Sequence, residues 1–315
     1  MIPPDWIEQA QHRIAPYIQK TPLEYDAENR LYLKWENQQI TGSFKARGAL
    51  NKVLSLQPWE LERGIVTASA GNHGQGVALA GKLVGAPVTV FASENASPLK
   101  LQAIRSYGAE VRLVPGGYGE AEQAGLEYAR QHEKTWLSAY NDGQVIAGQG
   151  TLAEEARAEI PTEETLAWVV PCGGGGLISG IGVALRSSLI NASADQLIGV
   201  QSEASPFMYE LYYHGSQAEV KELPSLADGL AGPVEEGSIT IPLVRKYVNA
   251  MVLVSEEQIV HAIRYAWVRY RQRIEASGAA ALAAVISGRI TQRPALVVVT
   301  GGNIQVEFHH KLIGD

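Results

Sequence analysis

The 315-residue sequence has one cysteine, Cys172, and no run of basic residues. A single cysteine excludes an intrachain disulfide framework and a cysteine-built metal site. It suits a reducing compartment. The seven histidines, His12, His73, His132, His214, His261, His309 and His310, are scattered, and none falls in H-E-x-x-H or a similar ligand spacing. There is also no G-x-S-x-G nucleophile elbow. Asp and Glu outnumber Lys and Arg by 33 to 26, for a net charge of −7, which argues against a nucleic-acid partner. No apolar run is long enough to cross a bilayer. The opening Met1-Ile2-Pro3-Pro4-Asp5-Trp6 lacks the basic and apolar regions of a signal peptide. The expectation is a cytoplasmic protein without membrane contact. With 46% hydrophobic and 19% charged residues, the chain has an ordinary globular composition and enough length for two lobes.

The most informative segment is Val169-Val170-Pro171-Cys172-Gly173-Gly174-Gly175-Gly176. A short β-branched run enters four glycines, and Leu177-Ile178-Ser179-Gly180-Ile181 then reads as a helix opening. Without Cβ atoms, several backbone N–H groups can converge on one anion. The helix N-terminus adds positive partial charge. A flexible glycine turn is the commoner origin of such a run, but the strand before and the helix after favour a phosphate cradle. It is neither a Walker A loop nor a G-x-G-x-x-G fingerprint.

Short apolar runs alternate with amphipathic stretches along the chain. Strands are expected at 31–35, 64–68, 87–92, 111–114, 135–138, 167–170, 196–201 and 295–300. Helices are expected at 43–56, 73–84, 97–107, 119–133, 144–159, 175–189, 255–273 and 278–287. This alternation predicts an α/β protein with mostly parallel sheets flanked by helices, and a site at the carboxyl ends of the strands. The tight series of units over 52–138 predicts a small lobe, with 1–51 and 139–315 forming the large one. No repeat or low-complexity linker intervenes.

Three further segments carry chemistry. In Thr41-Gly42-Ser43-Phe44-Lys45-Ala46-Arg47-Gly48-Ala49, Ser43 is read as an N-cap and Lys45 falls in the first helical turn. There the helix dipole disfavours a cation, and a lowered pKa would suit imine chemistry with an aldehyde. Taken alone, Lys45 reads equally well as a surface lysine. Ser69-Ala70-Gly71-Asn72-His73-Gly74-Gln75-Gly76 follows a strand and could hold a carboxylate on backbone N–H groups, a hydroxyl and an amide. Asn72 reads equally as a helix cap, and His73 as a general base or a capping group. Thr300-Gly301-Gly302-Asn303 sets a hydroxyl at the end of an apolar strand, where it could face a ring nitrogen or simply close a turn.

Together these segments resemble the fold type II pyridoxal-phosphate enzymes, in particular the threonine/serine dehydratase and serine racemase branch. The resemblance runs nearly end to end. It includes Thr21-Pro22-Leu23, Lys34-Trp35-Glu36-Asn37, the lysine block, the S-A-G-N-H-G-Q-G block, Val145-Ile146-Ala147-Gly148-Gln149-Gly150-Thr151, the glycine tetrad, Ala227-Asp228-Gly229, Ser277-Gly278-Ala279-Ala280 and T-G-G-N. It implies pyridoxal 5'-phosphate as cofactor, with Lys45 as the internal Schiff-base lysine and the base for the substrate α-proton. Gly173, Gly174, Gly175, Gly176 and the Leu177 backbone would bind the cofactor phosphate. Asn72 would meet the pyridine 3-oxygen, Thr300 the pyridine nitrogen, and Phe44 would pack on the ring. Ser69, Gly71, Asn72 and His73 would hold the substrate carboxylate. The implied reaction is β-elimination on a β-hydroxy amino acid such as L-threonine or L-serine, giving a 2-oxo acid and ammonia. The implied assembly is a homodimer.

Departures from the branch narrow this reading. Racemases of the branch carry a serine at the second position of the S-x-G-N-H block, where this chain has Ala70. Ser138-Ala139-Tyr140-Asn141-Asp142 replaces the usual H-P-F or H-P-N, which bears on substrate choice. Gln201 replaces the glutamate of divalent-metal-binding relatives, so no metal is expected. The alternatives are a 3-hydroxyaspartate or phenylserine lyase, a racemase, a β-replacement enzyme, or a catalytically silent, pyridoxal-phosphate-binding or ligand-sensing relative. Ala70 counts against the racemase, S-A-G-N-H in place of T-S-G-N-T against β-replacement, and the intact Lys45 against a silent relative.

Overall fold

The computed structural model describes residues 2–187, Ile190, Ala192 and 194–314. Its strands are β1 (Leu23–Asp26), β2 (Leu31–Trp35), β3 (Ile65–Ala68), β4 (Val88–Ser93), β5 (Glu110–Val114), β6 (Thr135–Trp136), β7 (Ala167–Pro171), β8 (Gln196–Ser202), β9 (Ala250–Val254) and β10 (Ala295–Val299). They form a six-stranded sheet in the order β1-β2-β10-β7-β8-β9 and a four-stranded sheet in the order β5-β4-β3-β6. Every pairing is parallel except that of β1 with β2. In the large sheet Val297 of β10 lies opposite both Leu33 of β2 and Val169 of β7. These central strands are buried on both faces, as the uninterrupted β-branched runs of a helix-covered parallel sheet require. The helix Lys45–Leu54 runs across the expected lobe boundary between 51 and 52.

Two of the sequence blocks serve the packing of this helix. The helix Gly143–Arg157 lies between it and the helix Gly176–Leu185. A Cβ on Gly148 would come within 2.7 Å of Gly48 Cα, and one on Gly150 within 2.8 Å of the Gly180 carbonyl. The glycines of V-I-A-G-Q-G-T therefore allow three helix backbones to approach closely.

The blocks Thr21-Pro22-Leu23 and Lys34-Trp35-Glu36-Asn37 feed a buried ion cluster. Arg47 pairs with Glu36 at 2.8 Å and with Glu155 at 3.0 Å, and Lys34 pairs with Glu155 at 2.6 Å. The Thr21 hydroxyl donates to Glu36. Two cations and two anions thus neutralise one another away from water. They tie β2 and the helix Gly143–Arg157 to the turn of helix that carries Lys45.

One local expectation is corrected. Ser43 is not a helix cap: Phe44 occupies the capping position, without a side-chain cap hydrogen bond. Ser43 instead forms a β-bridge with Gly301, and Phe44 N donates to the Thr300 carbonyl at 3.1 Å. Pairing with a segment more than 250 residues away outcompetes the local cap. Among the described residues no helix is long and apolar enough to cross a membrane.

Candidate active site

The chemistry-bearing segments all follow carboxyl ends of parallel strands. Ser69–Asn72 follows β3, Ala139–Asp142 lies just beyond β6, Cys172–Gly175 follows β7, and Thr300–Asn303 follows β10. In open α/β sheets this is where ligands bind. The lysine block lies between β2 and the helix Lys45–Leu54 and is zipped to the Thr300 segment by the contacts just described.

Lys45 is the first residue of its helix. Its Nζ donates to the Ala139 carbonyl at 3.0 Å and lies 5.2 Å from the centre of the Phe44 ring. Burial lowers its pKa to about 8, and the nearby Glu275 carboxylate only partly opposes that shift. A neutral, nucleophilic amine is therefore accessible near physiological pH.

The glycine tetrad has the build of an anion cradle. Gly175 has φ +85° and serves as N-cap of the helix that follows. The first main-chain N–H after Cys172 to find an acceptor is that of Ser179, which donates to Gly175 O at 3.0 Å. Among the described residues, the N–H groups of Gly173, Gly174, Gly175, Gly176 and Leu177 meet no acceptor. The Thr240 hydroxyl anchors the loop by donating to Gly174 O at 2.7 Å. Neighbouring Cys172 is not a nucleophile, since burial pushes its thiol up to about 12.

The S-A-G-N-H segment opens the helix Asn72–Val84, with Gly71 as its N-cap. The Gly71 N–H donates to Ser69 Oγ at 3.1 Å, which orients that hydroxyl. The N–H groups of Asn72, His73 and Gly74 are left without an acceptor among the described residues. A Cβ on Gly71 would meet nothing within 4 Å, so the cap faces open space. His73 is neutral: burial, helped by the charge of Lys45, lowers its pKa to about 3. Its Nε2 lies 3.2 Å from the Leu137 carbonyl, which can only accept, so the proton sits on Nε2. Nδ1 is then a buried lone pair without a partner, and the ring is no donor for a carboxylate.

Thr300 is buried at the end of β10, and its carbonyl accepts from Phe44 N at 3.1 Å. Sequence reasoning missed Glu275, which accepts from Asn72 Nδ2 at 2.6 Å. The adjoining Ser277-Gly278-Ala279-Ala280 block was the available signal. It also missed the Ala139 carbonyl and the Thr240 hydroxyl. Gln201 Oε1 accepts from Tyr209 N at 2.8 Å.

Residues 11–301 match the family model described as pyridoxal-phosphate dependent enzyme. The chain belongs to this family. Within it, L-threonine ammonia-lyase of Thermotoga maritima is 39% identical over 320 residues, covering 99% of this chain and 78% of that protein. Catabolic L-threonine dehydratase of Staphylococcus aureus is 39% identical over 312 residues, covering 95% of this chain and 88% of that protein. The solved serine racemase of Dictyostelium discoideum shares the fold with a TM-score of 0.87 at 32% identity, covering 97% of this chain and 99% of that one. The architecture is that of fold type II, and the family's cofactor is pyridoxal phosphate. The groups present suit that cofactor: a low-pKa amine for its aldehyde, a row of unpaired N–H groups for its phosphate, and a strand-end hydroxyl, Thr300, of a kind that can meet a ring nitrogen.

Proposed function

We propose that this chain is an ammonia-lyase that takes a β-hydroxy amino acid, L-threonine first among them and L-serine as the alternative, to the 2-oxo acid and ammonia by β-elimination. The observation that carries the reading is the Lys45 amine, lowered to about 8 and set among strand-end loops with unpaired N–H groups. The choice of L-threonine rests on the 39% identity to L-threonine ammonia-lyase over nearly the whole chain.

The residue roles proposed are those the family resemblance implies, and the strand-end placement of these groups supports them. The N–H groups of Gly173, Gly174, Gly175, Gly176 and Leu177, with the dipole of the helix behind them, hold the cofactor phosphate. Lys45 would hold the cofactor through its aldehyde, with Phe44 beside the ring. Thr300 would meet the pyridine nitrogen, where a hydroxyl brings no fixed charge. Asn72 would meet the ring 3-oxygen. Ser69 Oγ and the N–H groups that open the helix Asn72–Val84 hold the substrate carboxylate, with Gly71 leaving room and His73 contributing its backbone. When bound, pyridoxal phosphate delocalises the electron pair left at the substrate α-carbon. Lys45, whose pKa burial lowers to about 8, removes the α-proton. Loss of the β-hydroxyl as water forms an enamine, which after release takes up water and yields the 2-oxo acid and ammonia.

The test is a screen of the pyridoxal-phosphate-loaded protein against L- and D-amino acids bearing β-hydroxyls, following 2-oxo acid and ammonia together. Equal molar amounts of both from L-threonine support the reading. Turnover confined to 3-hydroxyaspartate or phenylserine would replace it.

A further inference from the structure

Glu275 is an acid at the N-cap of the helix Ala276–Ile286, yet its side chain does not bond that helix. It turns instead to Asn72, accepting from Nδ2 at 2.6 Å. Room for this comes from Gly301, where a Cβ would lie 2.2 Å from the Glu275 carboxylate oxygen. Glu275 N also donates to the Gly301 carbonyl at 3.1 Å, fixing the base of the side chain. The other end of the Asn72 amide is held as well. Asn303 Nδ2 donates to Asn72 Oδ1 at 2.7 Å and to the Thr41 carbonyl at 2.8 Å.

These contacts remove an ambiguity that a free asparagine would have. Flipping the Asn72 amide would set its oxygen against the Glu275 oxygen and its NH2 against the Asn303 NH2. Both neighbours therefore select the same orientation. In that orientation Nδ2 uses one hydrogen on Glu275 and keeps the second for another acceptor.

We propose that Glu275 is a positioning residue that, with Asn303, locks the Asn72 amide with its remaining N–H aimed at the cofactor ring oxygen. The proposal rests on the reading that Asn72 meets the ring 3-oxygen. Burial raises the Glu275 carboxyl to about 7, against the Asn72 hydrogen bond that lowers it, with Asp228 adding to the rise and Lys100 and Lys45 opposing it. An acceptor oxygen is present in either protonation state, so the lock survives titration.

The test uses the pyridoxal-phosphate-loaded wild type beside Asn72→Ala, Glu275→Ala, Glu275→Gln and Asn303→Ala. Cofactor Kd by dialysis is the first readout, and the absorption band of the bound cofactor the second. Glu275→Ala and Asn72→Ala should each weaken binding about tenfold and shift the band, the scale of one lost buried hydrogen bond. Glu275→Gln should stay within about twofold of wild type, since its carboxamide oxygen accepts the same bond. An Asn72→Ala/Glu275→Ala double variant should be no worse than Asn72→Ala, as expected for two residues acting through one contact. If Asn72→Ala loses cofactor but Glu275→Ala does not, the Glu275 proposal is wrong and the Asn72 reading stands. If Asn72→Ala binds like wild type, the Asn72 reading itself fails. Glu275→Gln behaving as badly as Glu275→Ala would assign the effect to charge and overturn the lock. Should Glu275→Ala not fold, Asn303→Ala breaks the same chain at its other end, and wild-type affinity there contradicts the proposal.

Discussion

Tyr140 packs directly on Gly174: a Cβ on that glycine would sit 2.5 Å from the tyrosine ring. The Tyr140 hydroxyl in turn accepts from Glu235 N at 2.9 Å. The cradle is therefore pressed into shape by a residue beyond β6 and by the loop preceding the helix Thr240–Tyr247.

This contact gives a double-variant prediction. Gly174→Ala should raise the Kd for pyridoxal phosphate about tenfold or more, because a clash of this depth must move the ring or the loop. Adding Tyr140→Ala should restore much of the affinity. Dialysis of the loaded proteins measures both. Equal affinity in Gly174→Ala and wild type would mean that these amides do not hold the phosphate.

Lys45 should set the pH dependence of cofactor loading. Only the neutral amine attacks an aldehyde, and this amine titrates at about 8. Below that pH, loading of stripped protein should quicken about tenfold per pH unit, and above it the rate should level off. Stopped-flow absorbance between about pH 6.5 and 10 gives the profile. A rate still climbing at the ordinary lysine value would show that Lys45 is not depressed.

The buried ion cluster should be costly to break. Glu155→Gln leaves Lys34 and Arg47 facing Glu36 alone and should cost about 3–5 kcal/mol, read as a lowered melting temperature. Burial by itself would raise the Glu155 carboxyl, but Arg47 and Lys34 outweigh it and hold the pKa below the ordinary glutamate value. Its stabilising effect is thus present above the unfolded carboxylate pKa and lost as the pH falls through the folded value. The gap in melting temperature between wild type and Glu155→Gln should narrow in acid. A gap that is absent at pH 7, or that widens in acid, contradicts this.

Much of this was legible in the sequence because the informative signals are local. Alternating runs marked most strands of both sheets, and the glycine, lysine and S-A-G-N-H blocks are contiguous. What escaped depends on distance in the chain. Glu275 meets Asn72 across 203 positions, and no spacing rule connects them. Ser43 carried the right chemistry for a cap, yet pairing with Gly301 overrode it. The helix Asp5–Ile14 buries Ile7, Ala10 and Ile14 on one face, a helical spacing that could have been read. Short β1 has exposed Glu24 and Tyr25 and owes its place to its antiparallel partner β2.

Ala70 bears on the choice between elimination and racemisation. Racemisation needs a proton delivered opposite the lysine, and a methyl side chain has none to give. Incubation with L-serine followed by chiral chromatography should show pyruvate with almost no D-serine. Ala70→Ser should raise the ratio of racemisation to elimination. D-serine appearing as fast as pyruvate in the wild type would require another acid on that face.

The central claim is that the strand-end loops of two sheets converge on Lys45 as the amine that carries the cofactor. Borohydride reduction of the loaded protein, followed by peptide mapping, tests it most directly. The account predicts a phosphopyridoxyl group on Lys45, with Lys45→Ala unlabelled and inactive on L-threonine. A label on another lysine, or none on freshly loaded protein, would contradict it.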